Sequence, residues 1–267
     1  GADAVVLSAV VHSNHCRQFA AAAAHLGLQA VVVLRENDTA MGRTDPVTGN
    51  YLLDRLFGAR VRIAPPSDVR AAIDEEMERL RHEGRQPFTG VSAVLSRIAY
   101  VQCALELDAQ CDAAGIDPAT VFIGSGSNSI AGLVAGFALL GRRTRFVGTP
   151  QGHVSDAEAA SRRVVDAAIE TIERLGLESA PPATDDVRVD DRFVGPGFGH
   201  LDDATRETIG LLARTEGLLV DPAYTGKAFN GLLCELRAGR WPDDADVVFV
   251  HTGGTPLVFT YGEDMFS

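Results

Sequence analysis

Apolar residues in this chain come in short unbroken runs that alternate with longer stretches of helical period. Ala4 to Val11, AVVLSAVV, is apolar at every position but Ser8, the pattern of a strand covered on both faces. The turn HSNH follows, Cys16 to Leu26 is alanine-rich and helical, Gly27 is a natural helix stop, and QAVVVL resumes a strand. This is a βαβ unit. Glu36 to Gly49 has the Gly, Pro and polar content of a loop, after which NYLLDRLFG and ARVRIAP repeat the helix-to-strand alternation. Ser67 to Gly84 begins on a Ser-Asp cap, and its charge-rich face DEEMERLRHE reads as solvated helix surface. A long helix is expected from Val91 to Ala114, crossing from one lobe to the other. Beyond it TVFIG is a strand, SGSNSIAGLVAGFALLG a glycine-rich turn and helix, RFVGTP a strand and Asp156 to Leu175 a helix. Two further helices, Asp202 to Glu216 and Thr225 to Arg237, and a last strand DVVFV running into HTGG complete the pattern.

Strands alternating with helices imply an α/β fold of mostly parallel sheet covered on both sides. We expect two lobes: residues 1–98 as a smaller α/β domain carrying the Ser-Asn-His turn, and residues 99–267 as a larger one carrying the glycine-rich turn and the C-terminal loops.

Composition narrows the function classes. With 46% apolar residues in 267, the chain can bury a sizeable core. A net charge of −12 repels a phosphate backbone or an anionic membrane surface, so nucleic acid is not an expected partner. The run IAGLVAGFALL, Ile130 to Leu140, is far shorter than the roughly 20 residues of a bilayer span and is expected to be a buried helix. Four dispersed cysteines without a C-x-x-C pair suit a reducing cytoplasm, and the scattered histidines have no metal-ligand spacing. The chain opens on Gly1 and passes at once into a strand, from which we expect that sequence upstream has been lost or removed.

In open parallel sheets, ligands sit outside the carboxyl ends of strands, and four loops here occupy such ends. Ser13-Asn14-His15 opens a helix; its N–H groups, hydroxyl and amide can cradle a carboxylate or phenolate, or Ser13 or Asn14 can simply cap the helix. Ser125-Gly126-Ser127-Asn128-Ser129 follows another strand, where glycine lets backbone donors converge as a dianionic phosphate requires; no Walker spacing accompanies it. Asp221 to Lys227, DPAYTGK, puts Tyr224 at a strand mouth, where it can serve as acid or base if a cation lowers its pKa, or plug the cleft with its ring. Thr252 follows the final strand; its hydroxyl can donate to a neutral aromatic nitrogen or merely close the turn. Together these describe a site for a phosphorylated aromatic cofactor and an amino acid, and pyridoxal 5'-phosphate is the economical candidate.

The blocks VVHSNHCRQFAAAAAHLGLQAVVVL, ARTEGLLVDPAYTGKA and VFVHTGGTPLVF resemble the D-cysteine desulfhydrase and 1-aminocyclopropane-1-carboxylate deaminase group of fold type II pyridoxal phosphate enzymes, in order and over nearly the whole chain. The resemblance implies a tryptophan synthase beta-like, two-lobed fold, truncated at its N-terminus, and a cytoplasmic homodimer acting on a small amino acid. It implies that Ser13, Asn14 and His15 hold the substrate carboxylate and, through Asn14, the cofactor's phenolic oxygen. It further implies that Ser125 to Ser129 bind the phosphate, that Tyr224 and Thr225 meet the substrate, that Ser13 and Tyr224 assist catalysis, and that Thr252 lies near the pyridine nitrogen. The deaminase branch has Glu after the tyrosine and Leu before the last Gly-Gly, whereas Thr225 and Thr252 match the desulfhydrase branch. The implied reaction is α,β-elimination of a β-sulfur group and ammonia from a cysteine-like amino acid, giving pyruvate; L-cysteate sulfo-lyase and aminocyclopropane carboxylate deaminase are the alternatives, and a catalytically incomplete ligand-binding or partner subunit is another.

Three departures accompany it. Lys227 is the only lysine in the chain and matches a scaffold lysine of the family, whose Schiff-base lysine precedes the strand that starts here; this chain alone is therefore expected to be inactive, with Lys227 as scaffold or ion-pair partner. Gly90 to Tyr100, GVSAVLSRIAY, carries Val91, Ala93, Ser96 and Ala99 where the family has a glycine-rich loop, and Ala9-Val10 replace glycines before the Ser-Asn motif.

Overall fold

The computed structural model describes residues 1–266 and divides into two units: residues 1–90 together with 254–266, and residues 91–253. The boundary expected between residues 98 and 99 falls inside a helix that belongs wholly to the second unit, and the C-terminal segment joins the first.

In the first unit, strands β1 (Ala4–Val10), β2 (Gln29–Arg35), β3 (Arg60–Ile63) and β4 (Pro87–Thr89) form an all-parallel sheet in the order β3-β2-β1-β4. Helices α1 (Asn14–Leu26), α2 (Gly49–Leu56) and α3 (Val69–His82) connect them. Val31, Val32, Val33 and Leu34 have no exposed surface, because alternate residues of β2 feed two separate cores. Val32 and Leu34 pack with Cys16, Ala20 and Ala23 of α1, while Val31 and Val33 pack with Ala72, Met77 and Leu80 of α3. This double burial explains why the sequence shows valine runs and not alternation. Gly27 ends α1 with φ +70°, as its position predicts.

The second unit begins with α4 (Ala93–Ala114) and continues through β5 (Pro118–Ile123), α5 (Asn128–Leu139), β6 (Arg145–Gly148), α6 (Ala157–Leu175), β7 (Val187–Val189), α7 (Asp203–Glu216), α8 (Thr225–Arg237) and β8 (Asp246–Val250). Its sheet is parallel in the order β7-β6-β5-β8. Helix α5 is buried on every side from Ile130 to Phe137, packed against the sheet, α4 and α6, as expected of an unrelieved apolar helix. A last short helix, α9 (Pro256–Thr260), belongs to the first unit, where Thr260 Oγ1 lies 3.3 Å from His12 Nδ1. Among the described residues no helix is long and apolar enough to cross a membrane.

The two sheets share one topological property. In each, the chain steps one way from a central strand and later returns to its other side: β2 and β4 flank β1, and β6 and β8 flank β5. Such a reversal opens a crevice at the carboxyl ends of the two strands on either side of it. The loops after β1, β5 and β8 are the ones that carry Ser13, Ser125 to Ser129 and Thr252.

Candidate active site

In the first unit the loop after β1 turns sharply into α1. Ser13 is buried and caps the helix, its Oγ accepting the Cys16 N–H at 3.2 Å, so of the two capping candidates it is Ser13 that caps. Accepting leaves the hydroxyl proton free to be donated. Asn14 is half-buried and its Oδ1 accepts from Asn50 Nδ2 at 2.7 Å, while His15 is exposed and leans on Phe19 with ring centroids 4.7 Å apart.

Beneath this turn lie two polar residues that the sequence reading did not single out, Asn50 and Asp54 on one face of α2. Their signal was present: polar residues four apart share a helix face, and both are fully buried. Asp54 has neither carboxylate oxygen hydrogen-bonded, and burial pushes its pKa up to about 7, with Arg17 pulling the other way. A raised folded-state pKa means that Asp54's contribution is most favourable below pH 4, where the group is protonated in both states, and is lost as pH rises to about 7. Replacing Asp54 by Leu is therefore expected to stabilise the protein by about 2 kcal/mol above pH 7. The melting temperatures of the two forms should converge toward pH 4; a gap that does not change with pH refutes the assignment.

The second unit gathers three of the four loops at one sheet edge. Strands β5 and β8 end side by side, Ile123 opposite Val250, so the Gly124–Ser129 turn and Thr252 flank the same topological switch. Tyr224 joins them: a Cβ built on Gly124 would lie 3.2 Å from the carbonyl carbon of Tyr224. A Cβ on Gly126 would fall 2.8 Å from Pro150 Cβ, and one on Gly148 2.2 Å from the Ser125 carbonyl oxygen. Glycine at these positions lets the turn lie flat on the loop after β6. Helix α5 then starts at Ser127 with no side-chain cap, so its first-turn N–H groups face outward with the positive end of the helix dipole. Arg97, buried in α4, donates to Thr171 Oγ1 at 2.8 Å and reaches Asn128 Oδ1 at 3.4 Å, tying the altered 90–100 stretch to this turn; Ser92 caps α4. Uncapped donors, hydroxyls and a backbone that admits no Cβ fit the phosphate of pyridoxal phosphate.

Tyr224 does not meet the condition set for it as a base. No cation lowers its pKa: burial first, and the charge of Asp221 second, hold the phenol above its ordinary value, with the Phe198 ring 5.7 Å away. Nor does Thr225 face a ligand. It is fully buried, donates to Asp221 Oδ2 at 2.5 Å and accepts the Asp221 N–H at 2.8 Å. Asp221 was expected at a strand end, but no strand lies between α7 and α8; it accepts instead from the N–H groups of Ala223, Tyr224 and Thr225 and so builds the turn that presents Tyr224. The Thr225 hydroxyl thus closes the turn.

Lys227 is 1% exposed, and its Nζ donates to the carbonyl oxygens of Val194 at 2.5 Å and Gly197 at 2.7 Å. Burial lowers its pKa, opposed by Asp202 and Asp221. Of the two roles expected of it, scaffold or ion-pair partner, its bonds to carbonyls match the scaffold. Thr252 is half-buried in the loop after β8, next to His251, whose Nε2 lies 2.8 Å from the Leu219 carbonyl oxygen.

The family profile described as "Pyridoxal-phosphate dependent enzyme" matches residues 1–253. The chain belongs to that family. It is 37% identical to D-cysteine desulfhydrase of Yersinia enterocolitica over 98% of this chain and 79% of the relative. Among solved structures, an ACC deaminase homologue superposes with a TM-score of 0.81 at 29% identity, covering all of this chain and 78% of that one. A threonine deaminase from T.th. gives 0.62 at 20% identity over 95% of this chain and 78% of its own, a likeness of fold. Two parallel sheets clothed in helices are thus the fold type II architecture, and pyridoxal phosphate is the cofactor of this family.

Proposed function

We propose that this chain is the body of a pyridoxal phosphate-dependent carbon–sulfur lyase of the D-cysteine desulfhydrase kind. It would convert a cysteine-like amino acid and one water into pyruvate, ammonia and a β-sulfur product. The observation that carries the reading is the β5/β8 switch, which brings a phosphate-type turn, a protonated tyrosine and a neutral hydroxyl to one sheet edge; the 37% identity to a D-cysteine desulfhydrase supports the reaction. When bound, the cofactor supplies an electron-withdrawing ring that takes up the electron pair left when the substrate's α-proton departs.

The residues have separate tasks. Ser125, Gly126, Ser127, Asn128 and Ser129 hold the phosphate through the uncapped start of α5. Ser13 keeps its hydroxyl proton to donate to the substrate carboxylate, with Asn14 and His15 beside it in the chain, and Asn14's amide serves the cofactor's phenolic oxygen. Tyr224 Oη, held protonated by burial, acts as a donor toward the departing sulfur and not as a base. Thr252 offers a neutral hydroxyl to the pyridine nitrogen. A carboxylate there would favour the protonated ring and a stronger electron sink, which opening a cyclopropane demands and expelling a β-thiolate does not. The deaminase branch carries its carboxylate directly after the tyrosine, where this chain has Thr225, and that contrast favours elimination over the deaminase activity in the name of the structural relative.

Since Lys227 is occupied by two carbonyls, we place the cofactor-bearing amine outside these 267 residues and infer that this chain alone is inactive. A cytoplasmic homodimer completes the proposal on the strength of the resemblance, and a net charge of −12 argues against nucleic-acid partners. The test is to give the full-length protein D-cysteine, L-cysteine, L-cysteate and aminocyclopropane carboxylate and to measure pyruvate, sulfide, sulfite and ketobutyrate. Pyruvate with sulfide is expected. Sulfite identifies a cysteate lyase instead, ketobutyrate as the main product overturns the reading of Thr225 and Thr252, and no product from any of the four supports a catalytically incomplete homologue.

A further inference from the structure

A carboxamide presents two ends of nearly equal shape, one donating and one accepting, so what it offers a ligand depends on which end its neighbours hold. Asn14 has one such neighbour, Asn50. The orientation of Asn50 is itself settled by partners that work in one direction only. Its Nδ2 lies 3.0 Å from the carbonyl oxygen of His12, which can only accept. Its Oδ1 lies 3.3 Å from Arg17 Nε, which can only donate. Reversing Asn50 would set two acceptors against each other on one side and two donors on the other. The second Nδ2 hydrogen therefore points at Asn14, which must answer with its oxygen, and the observed Oδ1 contact of 2.7 Å does so.

We propose that Asn50 is a positioning residue that fixes the Asn14 amide with its nitrogen outward, as a hydrogen-bond donor reserved for an anionic oxygen. Among the described residues, Asn14 Nδ2 donates to no protein acceptor. The relay is rigid at its far end: Asn50 is fully buried, and the His12 backbone is held by its N–H bond to Met41 O at 2.9 Å. A fixed donor spares the ligand the work of turning the amide and turns away groups that themselves donate. The inference deepens the proposed function and rests on its assignment of Asn14 to the cofactor's phenolic oxygen.

The decisive variant is Asn50→Asp. It keeps the shape and still accepts from Arg17 but can no longer donate to Asn14, so the Asn14 amide is expected to turn round, give its N–H to the new carboxylate and face the ligand with an oxygen. Cofactor-free full-length protein would be titrated with pyridoxal 5'-phosphate by absorbance, with melting temperature followed in parallel. Asn14→Ala should weaken binding about 10–100-fold, the loss of one hydrogen bond to a charged oxygen, and Asn50→Asp should weaken it at least as much. The double variant should be no weaker than Asn14→Ala alone, because without the Asn14 amide nothing is left to misdirect. A purely structural Asn50 would instead add its full loss on the Asn14→Ala background, and that result, or wild-type affinity in Asn50→Asp, overturns the inference while leaving the reading of Asn14 intact. If Asn14→Ala itself binds like wild type, the Asn14 assignment falls and the relay with it. Should Asn50→Asp fail to fold, Asn50→Ser, which leaves Asn14 unaimed but not reversed, is put through the same cycle; a loss smaller than that of Asn14→Ala and absent on the Asn14→Ala background is expected, and wild-type affinity or a fully additive loss overturns the inference.

Discussion

Lys227→Met is expected to lower the melting temperature by roughly 6–12 °C while leaving the bound cofactor's absorbance in place below the transition. The change keeps most of the side chain's volume but removes the ammonium group that serves the carbonyl oxygens of Val194 and Gly197. One buried and one half-buried acceptor then lose their donor, at a cost of about 1–3 kcal/mol each, less for the half-buried one. Taking a total of about 3 kcal/mol, a domain of 150–250 residues loses about 2–4 °C for each kcal/mol. The alternative role, a lysine bonded to the cofactor, makes the opposite pair of predictions: loss of the cofactor's absorbance and little change in melting. The two measurements therefore separate scaffold from catalytic amine without any turnover assay, and a colourless variant of wild-type stability would reverse our reading of the chain's only lysine.

The buried relations of Lys227 mark where sequence reading stops. What it saw well was local. Runs such as AVVLSAVV and QAVVVL disclosed β1 and β2 because burial on both faces leaves no polar positions. Gly27 marked the end of α1 because only a residue without Cβ enters the left-handed region at no cost. It missed β4 and β7 because three residues are too few to show a period, and β4 opens on a proline. It missed the return of residues 254–266 to the first unit because nothing local in that segment names a distant partner. The site followed the same rule. Ser13, Ser125 to Ser129 and Thr252 stood out because each follows a strand and precedes a turn or helix, whereas the strand expected before Tyr224 is absent, residues 217–224 running as a loop between α7 and α8. What each side chain can do was set by residues remote in sequence or hidden in a turn. Asn50 fixes Asn14 from 36 positions away, and Asp221 takes the Thr225 hydroxyl and raises the Tyr224 pKa. That burial holds the Tyr224 phenol protonated could not be read from DPAYTGK.

Gly148→Ala is expected to be the most damaging single-methyl change in the chain for cofactor affinity. Gly148 ends β6, and its new Cβ would stand 2.2 Å from the Ser125 carbonyl oxygen and 2.8 Å from Ile130 Cδ1. Ile130 can rotate; the carbonyl cannot move without carrying the Ser125–Ser129 turn with it. That turn is pinned from below, since Ser125 N donates to Ile123 O at 2.9 Å and a Cβ-free Gly126 lies against Pro150. Relief must therefore come from lifting the turn off β6, which tilts the uncapped N–H groups at the start of α5 away from their common focus. Overpacking of this kind costs about 1–3 kcal/mol in stability. Misdirecting one or two charge-assisted phosphate bonds weakens pyridoxal 5'-phosphate binding by about 10–100-fold. Gly152→Ala, four residues on, is the control, because a Cβ there meets nothing within 4 Å. Since the damage is confined to the phosphate end, pyridoxal without its phosphate should bind both variants and the parent alike. A Gly148→Ala protein that holds the phosphorylated cofactor as tightly as the Gly152→Ala control would show that the turn after β5 does not carry the phosphate, whatever its glycines and serines suggest.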